Sequence, residues 1–599
     1  MASQSSRRLR ALAVVAAGSL VALSATTAVA AAGNPATTGS GTSTSTTEYA
    51  IGVPECTAPA PGDAQCFAMR RVVVSKGTFG ARAFHPLASS AAASSNGVTR
   101  GPGGGYTPAD LASAYGINPA SGGTGQTVAL VDAFNDPNIT LNLNSFDSHY
   151  GLPAETASSF RVVGQTGTST LPANDTTGWS TEESLDVDTV RGLCHHCKII
   201  LVEANSQSQT DLGLSVNEAV KLGATEISNS YGYPEQNDPS QPTDPNEIAD
   251  YTHPGVVMTV STGDDGWYDY DFIDAINSPD QPSTLPGVIG VGGTTLNLTP
   301  AGRRASETVW NDNGPYDVNE QGFGAALGAT GGGCSTLYTA PAWQHHVAGY
   351  GSLGCATMRS PADISADADY LTGYDIYDTF ADHAGDGGGW ETIGGTSLAS
   401  PIIAAMWALA GGAHGMAHPA ATLYGHSGAH SPFYDVTVGG NSWCEAQAVC
   451  QLGGSTLNSN GAAGLVDCAT NAAGVSLSDT GQCDAEPGYD GPTGLGAPNG
   501  LSEFRPATPT ARISAPAHVL TRKTAKFSGA KSSDPYPGGE ITKYTWSWGD
   551  GSKPSTGAKA SHRFTKAGKH TVRLTVSDSY GQTGTTTTKV TVKNKKKKK

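Results

Sequence analysis

Beyond its first thirty residues, this 599-residue chain has no apolar run long enough to span a bilayer. A helical membrane protein is therefore excluded as the reading of the later sequence. Positive charge is also scarce. Lysine and arginine number 35 against 52 aspartates and glutamates, and the formal net charge of −17 disfavours nucleic acid as a partner. Apolar residues make up only 38%, low for a globular enzyme, while 77 glycines make the chain rich in loops. Cys194-His195-His196-Cys197 has no second pair of that spacing, so it reads as a plain disulfide rather than a zinc or redox site.

What is present divides the chain. Arg7, Arg8 and Arg10 precede an apolar stretch from Ala11 to about Leu23, and Ala28-Val29-Ala30 supplies small residues for cleavage. Residues 1–30 thus read as a secretory signal peptide, and the expected protein is secreted and extracellular. Ten cysteines fall as local pairs: Cys56/Cys66, Cys194/Cys197, Cys334/Cys355, Cys444/Cys450 and Cys468/Cys483. An even count in an exported chain points to disulfides. Residues 31–105, rich in Ser, Thr, Ala and Gly, read as a leader or short propeptide with little core of its own. From 106 to 504, short β-branched runs alternate with helical spacing. Val128–Val131, Ile199–Val202, Glu226–Ser228 and Val256–Val260 are expected strands, and Asp211–Leu222 an expected helix stopped by Gly223. Such alternation predicts an α/β fold with a parallel sheet flanked by helices. After a linker at 505–509, Lys543–Trp548 and His570–Val576 alternate as strands of a small antiparallel β-sandwich over 510–593. A lysine tail, 594–599, reads as solvated.

The strongest local signal for chemistry is Gly394-Gly395-Thr396-Ser397-Leu398-Ala399-Ser400-Pro401, which leads into the apolar run Ile402–Ala410. Ser397 then sits at the N-terminus of a buried helix, where N–H groups and the dipole favour an oxyanion. A subtilisin would also need a histidine segment after the aspartate of its first strand. Asp132 could be that aspartate, but no such segment follows it. Instead, Trp179-Ser-Thr-Glu182-Glu183-Ser-Leu-Asp186-Val-Asp188 places Glu182 and Asp186 one helical turn apart on one face. Glu183 points about 100° away. A third element, Ser261-Thr-Gly-Asp264-Asp265-Gly266, follows the strand Val256–Val260.

Glu-x-x-x-Asp on a helix, Gly-Asp after a strand and Gly-Thr-Ser-x-x-x-Pro, in that order, resemble the sedolisin family of serine-carboxyl peptidases. The resemblance spans about residues 105–504. It implies a subtilisin-like fold in which Ser397 is the nucleophile, Glu182 its general base, Asp186 the support for Glu182, and Asp264 the oxyanion donor. It also implies an endopeptidase acting on proteins or peptides in acid, roughly between pH 3 and 5 by the reference values of carboxyl groups. A subtilisin-type protease using Asp132 and a catalytically inactive surface-binding protein are the alternatives. Tyr434-Asp435-Val436-Thr437 and Glu486-Pro-Gly488-Tyr489-Asp490 resemble the family's site for one structural Ca2+. The implied ligands are Asp435, Asp490 and the carbonyls of Val436, Glu486 and Gly488. Trp548-Gly-Asp-Gly551, with His562-Arg-Phe564, resembles the PKD domain, whose implied role is to space, or to bind substrate or a surface.

Overall fold

Short β-branched runs form the strands expected of them: Thr127–Ala133, Lys198–Ala204, Glu226–Asn229 and Val257–Ser261. The computed structural model describes residues 48–60, 62–75, 85–86, 100–235, 245–267, 278–312, 328–380, 388–428, 430–441 and 481–594. The expected signal peptide, Cys444, Cys450, Cys468 and the lysines from 595 onward lie outside these residues. The strands join a sheet ordered Arg304–Val309, Ile289–Leu298, Val257–Ser261, Glu226–Asn229, Thr127–Ala133, Lys198–Ala204 and Phe160–Gly164, with Ile364–Asp367 beside Ile289–Leu298. Pairing is parallel throughout except for Arg304–Val309. From Val128 to Ala133 every residue is buried, so helices cover both faces of the sheet. Thr127–Ala133, the earliest strand of the sheet in sequence, lies between Lys198–Ala204 and Glu226–Asn229. The chain order reverses there, and the crevice outside the carboxyl ends of such strands is where open α/β sheets bind ligands.

Two helices carry most of the interior. Thr396–Ala410 is buried along its whole length and ends on Gly411 in the left-handed conformation. Trp179–Leu193 is also buried at all fifteen positions, although it contains Glu182, Glu183, Asp186, Asp188 and Arg191. An acidic surface face would be solvated. Here the carboxyls are driven into the core against Thr396–Ala410, a costly arrangement typical of functional sites. The helix starts at Gly178, and Asp175 Oδ2 accepts from the Gly178 and Ser180 N–H groups at 3.0 Å each.

The leader differs from its sequence reading. Glu48–Pro54 and Met69–Ser75 form an antiparallel pair, which continues through Gly389–Gly394 to Tyr374–Asp378. Cys66, Ala68 and Met69 join the core of the large domain, so the described part of the leader lacks a core of its own but is not without structure. Disulfides link Cys56–Cys66, Cys194–Cys197 and Cys334–Cys355. Cys483 is also disulfide-bonded.

The C-terminal sandwich has a sheet ordered His518–Leu520, Thr583–Lys593, Gly568–Asp578, Ile541–Ser547 and Ser555–Thr556, and a pair formed by Ala525–Ser528 and Lys559–His562. Its core gathers Phe527, Trp546, Trp548, Phe564, Val572, Leu574 and Val576. One strand departs from the antiparallel expectation. His518–Leu520 pairs in parallel with Thr591–Lys593, an arrangement that alternation along one strand cannot reveal.

Candidate active site

The carboxyl ends of three neighbouring strands deliver Asp132, Ser230 and Asp264 to one place, and the two buried helices deliver Glu182, Asp186 and Ser397 to it. Ser397 lies in the first turn of its helix, where backbone N–H groups have no intrahelical acceptors. Its Oγ donates to Glu182 Oε2 at 2.8 Å and lies 3.1 Å from the Ser230 carbonyl oxygen. Ser230 Oγ in turn donates to Asp186 Oδ1 at 2.8 Å. Asp264 Oδ1 accepts from both the N–H and the hydroxyl of Thr396, each at 2.8 Å. The four residues singled out from sequence thus meet. Glu183 does not join them: it faces the other way and accepts from the Asp136 N–H at 3.2 Å.

Electrostatics favours protons in this cluster. Glu182 is wholly buried, and burial raises its pKa well above the usual carboxyl range. The neighbouring Asp186 and Asp132 raise it further, while the Ser397 hydrogen bond opposes them. Asp186 is raised by burial and by Asp132. Burial also raises Asp264, against its two bonds from Thr396. Among the described residues Asp264 Oδ2 has no hydrogen-bond partner, nor do Glu182 Oε1, Asp186 Oδ2 and both oxygens of Asp132. A buried carboxyl oxygen in that condition is best satisfied by carrying a proton.

Sequence reasoning missed three contributors. Ser230 lies just beyond the strand Glu226–Asn229. Thr396 orients Asp264, and nothing but its place beside Ser397 marks it. Asp132 was considered only as the acid of a subtilisin. In the structure no histidine hydrogen-bonds Ser397 among the described residues, and Asp132 acts on Glu182 and Asp186.

The comparisons bear on the whole arrangement. Residues 162–423 match the subtilase family, and residues 506–592 match the PKD domain. Sedolisin from Pseudomonas sp. (strain 101) is 29% identical over 350 residues, 57% of this chain and 56% of its own. Kumamolisin from Bacillus sp. (strain MN-32) is 28% identical over 424 residues, 69% of this chain and 65% of its own. The solved Pseudomonas sedolisin, in complex with pseudo-iodotyrostatin, superposes with a TM-score of 0.50 at 28% identity, covering 67% of this chain and 96% of that one. The chain is similar in sequence and in fold to the sedolisin family. It spans between half and two thirds of the length of these two curated relatives. Its fold is the sedolisin-like α/β fold, followed by a PKD β-sandwich.

The residues that the family resemblance assigns to calcium also gather. Gly488 N–H donates to Asp435 Oδ1 at 3.0 Å, and Glu486 N–H to Asp490 Oδ2 at 3.1 Å. Asp490 Oδ1 accepts from Thr493 N and Oγ1 at 2.8 Å each. Burial raises Asp490, and Asp435 raises it further. The two carboxylates are oxygen donors of the kind a hard dication takes, while the backbone groups bonded to them present N–H. No group of three or more His, Cys, Asp or Glu side chains fit to hold a metal occurs among the described residues, and this set contains two.

Proposed function

We propose that this sedolisin-like chain is a secreted serine-carboxyl endopeptidase that hydrolyses protein and peptide substrates in acid. The single observation that carries the reading is the hydrogen bond from Ser397 Oγ to Glu182 Oε2. It pairs a hydroxyl nucleophile with a carboxylate base at the N-terminus of a helix. Ser397 Oγ attacks the peptide carbonyl and its proton passes to Glu182. Asp186, held by Ser230, raises the proton affinity of Glu182. Protonated Asp264 and the helix N–H groups face the developing oxyanion. The amine leaves with the proton from Glu182, and water then hydrolyses the acyl-enzyme.

The acid optimum follows from opposite requirements on two groups. Glu182 must be ionised to accept a proton, and Asp264 must be protonated to donate. Burial raises both, so the active window lies higher than the unshifted reference values alone would place it. One Ca2+ held by Asp435, Asp490 and the carbonyls of Val436, Glu486 and Gly488 would tie the segment before the Cys-rich stretch to the segment after it. The PKD domain is read as a spacer or as a module that binds substrate or a surface.

The test is peptide hydrolysis by purified Ser397→Ala and Glu182→Gln. Losses of at least about a thousandfold and about a hundredfold in kcat, with unchanged melting curves, are expected. Glu182→Gln with wild-type turnover would instead identify a different base.

A further inference from the structure

We propose that the outer face of the C-terminal sandwich docks the enzyme on a sulfated polysaccharide. The inference gives a chemistry to the surface-binding role proposed for the PKD domain. Charge is divided very unevenly along the chain. Residues 510–593 hold 14 lysines and arginines against four acids, and five more lysines follow at 595–599. Residues 1–509 hold 16 lysines and arginines against 48 acids. Within a chain of formal charge −17, the sandwich therefore carries +10 and the part before it −32. An asymmetry of this size points to a polyanion as the partner of the basic part.

The sheet sorts these charges onto one face. Gly568–Asp578 and Thr583–Lys593 pair antiparallel, with Val572, Leu574, Val576, Val590 and Val592 in the core. The residues that alternate with them point outward. Arg573 stands opposite Thr587, Lys589 opposite Thr571, and Lys569 opposite Thr591. Each cation thus has a hydroxyl beside it on the neighbouring strand. The cations step from strand to strand, two residues further each time, and Lys593 continues the row. Successive charges leave the backbone roughly 8 Å apart, from the rise along a strand and the spacing between strands. All four are exposed in the full chain, and none makes an ion pair among the described residues.

Among the described residues no acid interrupts this face. Asp578 is buried and accepts from the N–H groups of Tyr580 and Gln582. Asp550 is engaged by Ser552 and His562, and Asp534 by the Tyr536 N–H. Glu540 precedes the strand Ile541–Ser547. No Phe, Tyr or Trp stands on the outward register of the two long strands either. A polymer read by stacking, as single-stranded nucleic acid is, finds no platform there. What the face offers is hydroxyls for sugar and ester oxygens, with positive charge at spaced intervals. Carboxylate polymers lose their charge as pH falls through about 4. Sulfate esters keep theirs, so under the acid conditions proposed for the active site the sulfated polymer is the one this face holds. The acidic remainder of the chain is repelled by the same polymer, so the sandwich meets it first.

The test is binding of the full-length Ser397→Ala chain to immobilised dextran sulfate near pH 4. That background removes self-digestion and keeps the result independent of the peptidase reading. Binding that salt reverses is expected, with no retention on unsulfated dextran. Lys569→Gln, Arg573→Gln and Lys589→Gln together should weaken it at least about tenfold. Removing three cations elsewhere on the sandwich, by Lys526→Gln, Lys559→Gln and Arg563→Gln, should weaken it less than about threefold. Bound dextran sulfate should also shield Lys569, Lys589 and Lys593 from reductive methylation at neutral pH, and leave Lys526 and Lys559 reactive. Should the first triple variant not fold, this protection pattern decides alone. Absence of salt-reversible binding overturns the proposal. Unchanged binding by the first triple variant would move the contact to the lysine tail, and equal losses in both variants would reduce it to net charge; either result overturns the face. Equally tight binding to polygalacturonate or to single-stranded DNA overturns the sulfated partner.

Discussion

At Asp264, one carboxyl group has its two oxygens in unlike positions. Oδ1 takes two hydrogen bonds from Thr396, which fix the plane of the group, and Oδ2 is left buried without a hydrogen-bond partner among the described residues. Orientation and protonation are thereby separated within one side chain. Asp264→Asn keeps a donor at every pH. Its kcat should fall by about tenfold to a thousandfold in acid, but the decline toward neutral pH should flatten. A decline as steep as the wild type's would refute the donor role. Asp186→Asn acts on the other limb. It removes a negative neighbour that raises Glu182, so the acid limb of the kcat profile should move to lower pH. An acid limb that stays in place or moves up would show that Asp186 does not tune the base. The positions of these acids were legible from a helical spacing and a Gly-Asp pair. Ser230 and Thr396 were not, because a serine carbonyl or a threonine hydroxyl gains its meaning only from what the fold sets opposite it.

Among the elements, those with long periodic patterns were readable and those made by pairing were not. Asp211–Leu222 and Gln209–Lys221 differ by one or two residues at each end, since helical spacing continues up to a stop signal. The strap at 64–69 carries no such pattern. Its two-residue strand, Gln65–Cys66, exists only through pairing with Tyr231–Pro234, and residues 31–105 therefore read as a leader with little core of its own. The segments around Asp435 and Asp490 sit between these cases: the acids are visible, while their meeting depends on the chain returning. Gly488 N–H donates to Asp435 and Glu486 N–H to Asp490, and the two carboxylates repel each other. Adding excess chelator should lower the melting temperature by on the order of 5 °C, and calcium should restore it. Peptide turnover by the still-folded enzyme should change little. An unchanged melting temperature, together with no metal by elemental analysis, would remove the ion from the account.

For the molecule as a whole, the interior is stocked with acids whose protonated form the fold prefers. Burial pushes Asp132 up to about 8 and Glu226 up to about 8. Burial, with like charges nearby, pushes Asp136 up to about 7 and Glu203 up to about 9. In the unfolded chain these groups titrate near 4. Between the two values the folded state binds more protons than the unfolded state, so stability falls as pH rises. The contribution is fully present below about pH 4 and is lost as pH climbs through 7 to 9. The excess of acidic over basic residues works in the same direction, because self-repulsion grows as carboxyls ionise. Acid thus holds the fold together, in keeping with the acid activity proposed for the site. In the Ser397→Ala background, where self-digestion cannot interfere, the melting temperature should be at least about 5 °C lower at pH 8 than at pH 5. Asp132→Asn should reduce that difference, since one of the protonated acids no longer titrates. A melting temperature that rises from pH 5 to pH 8 would mean that these buried carboxyls are ionised in the folded state, and the proton-rich interior would have to be abandoned.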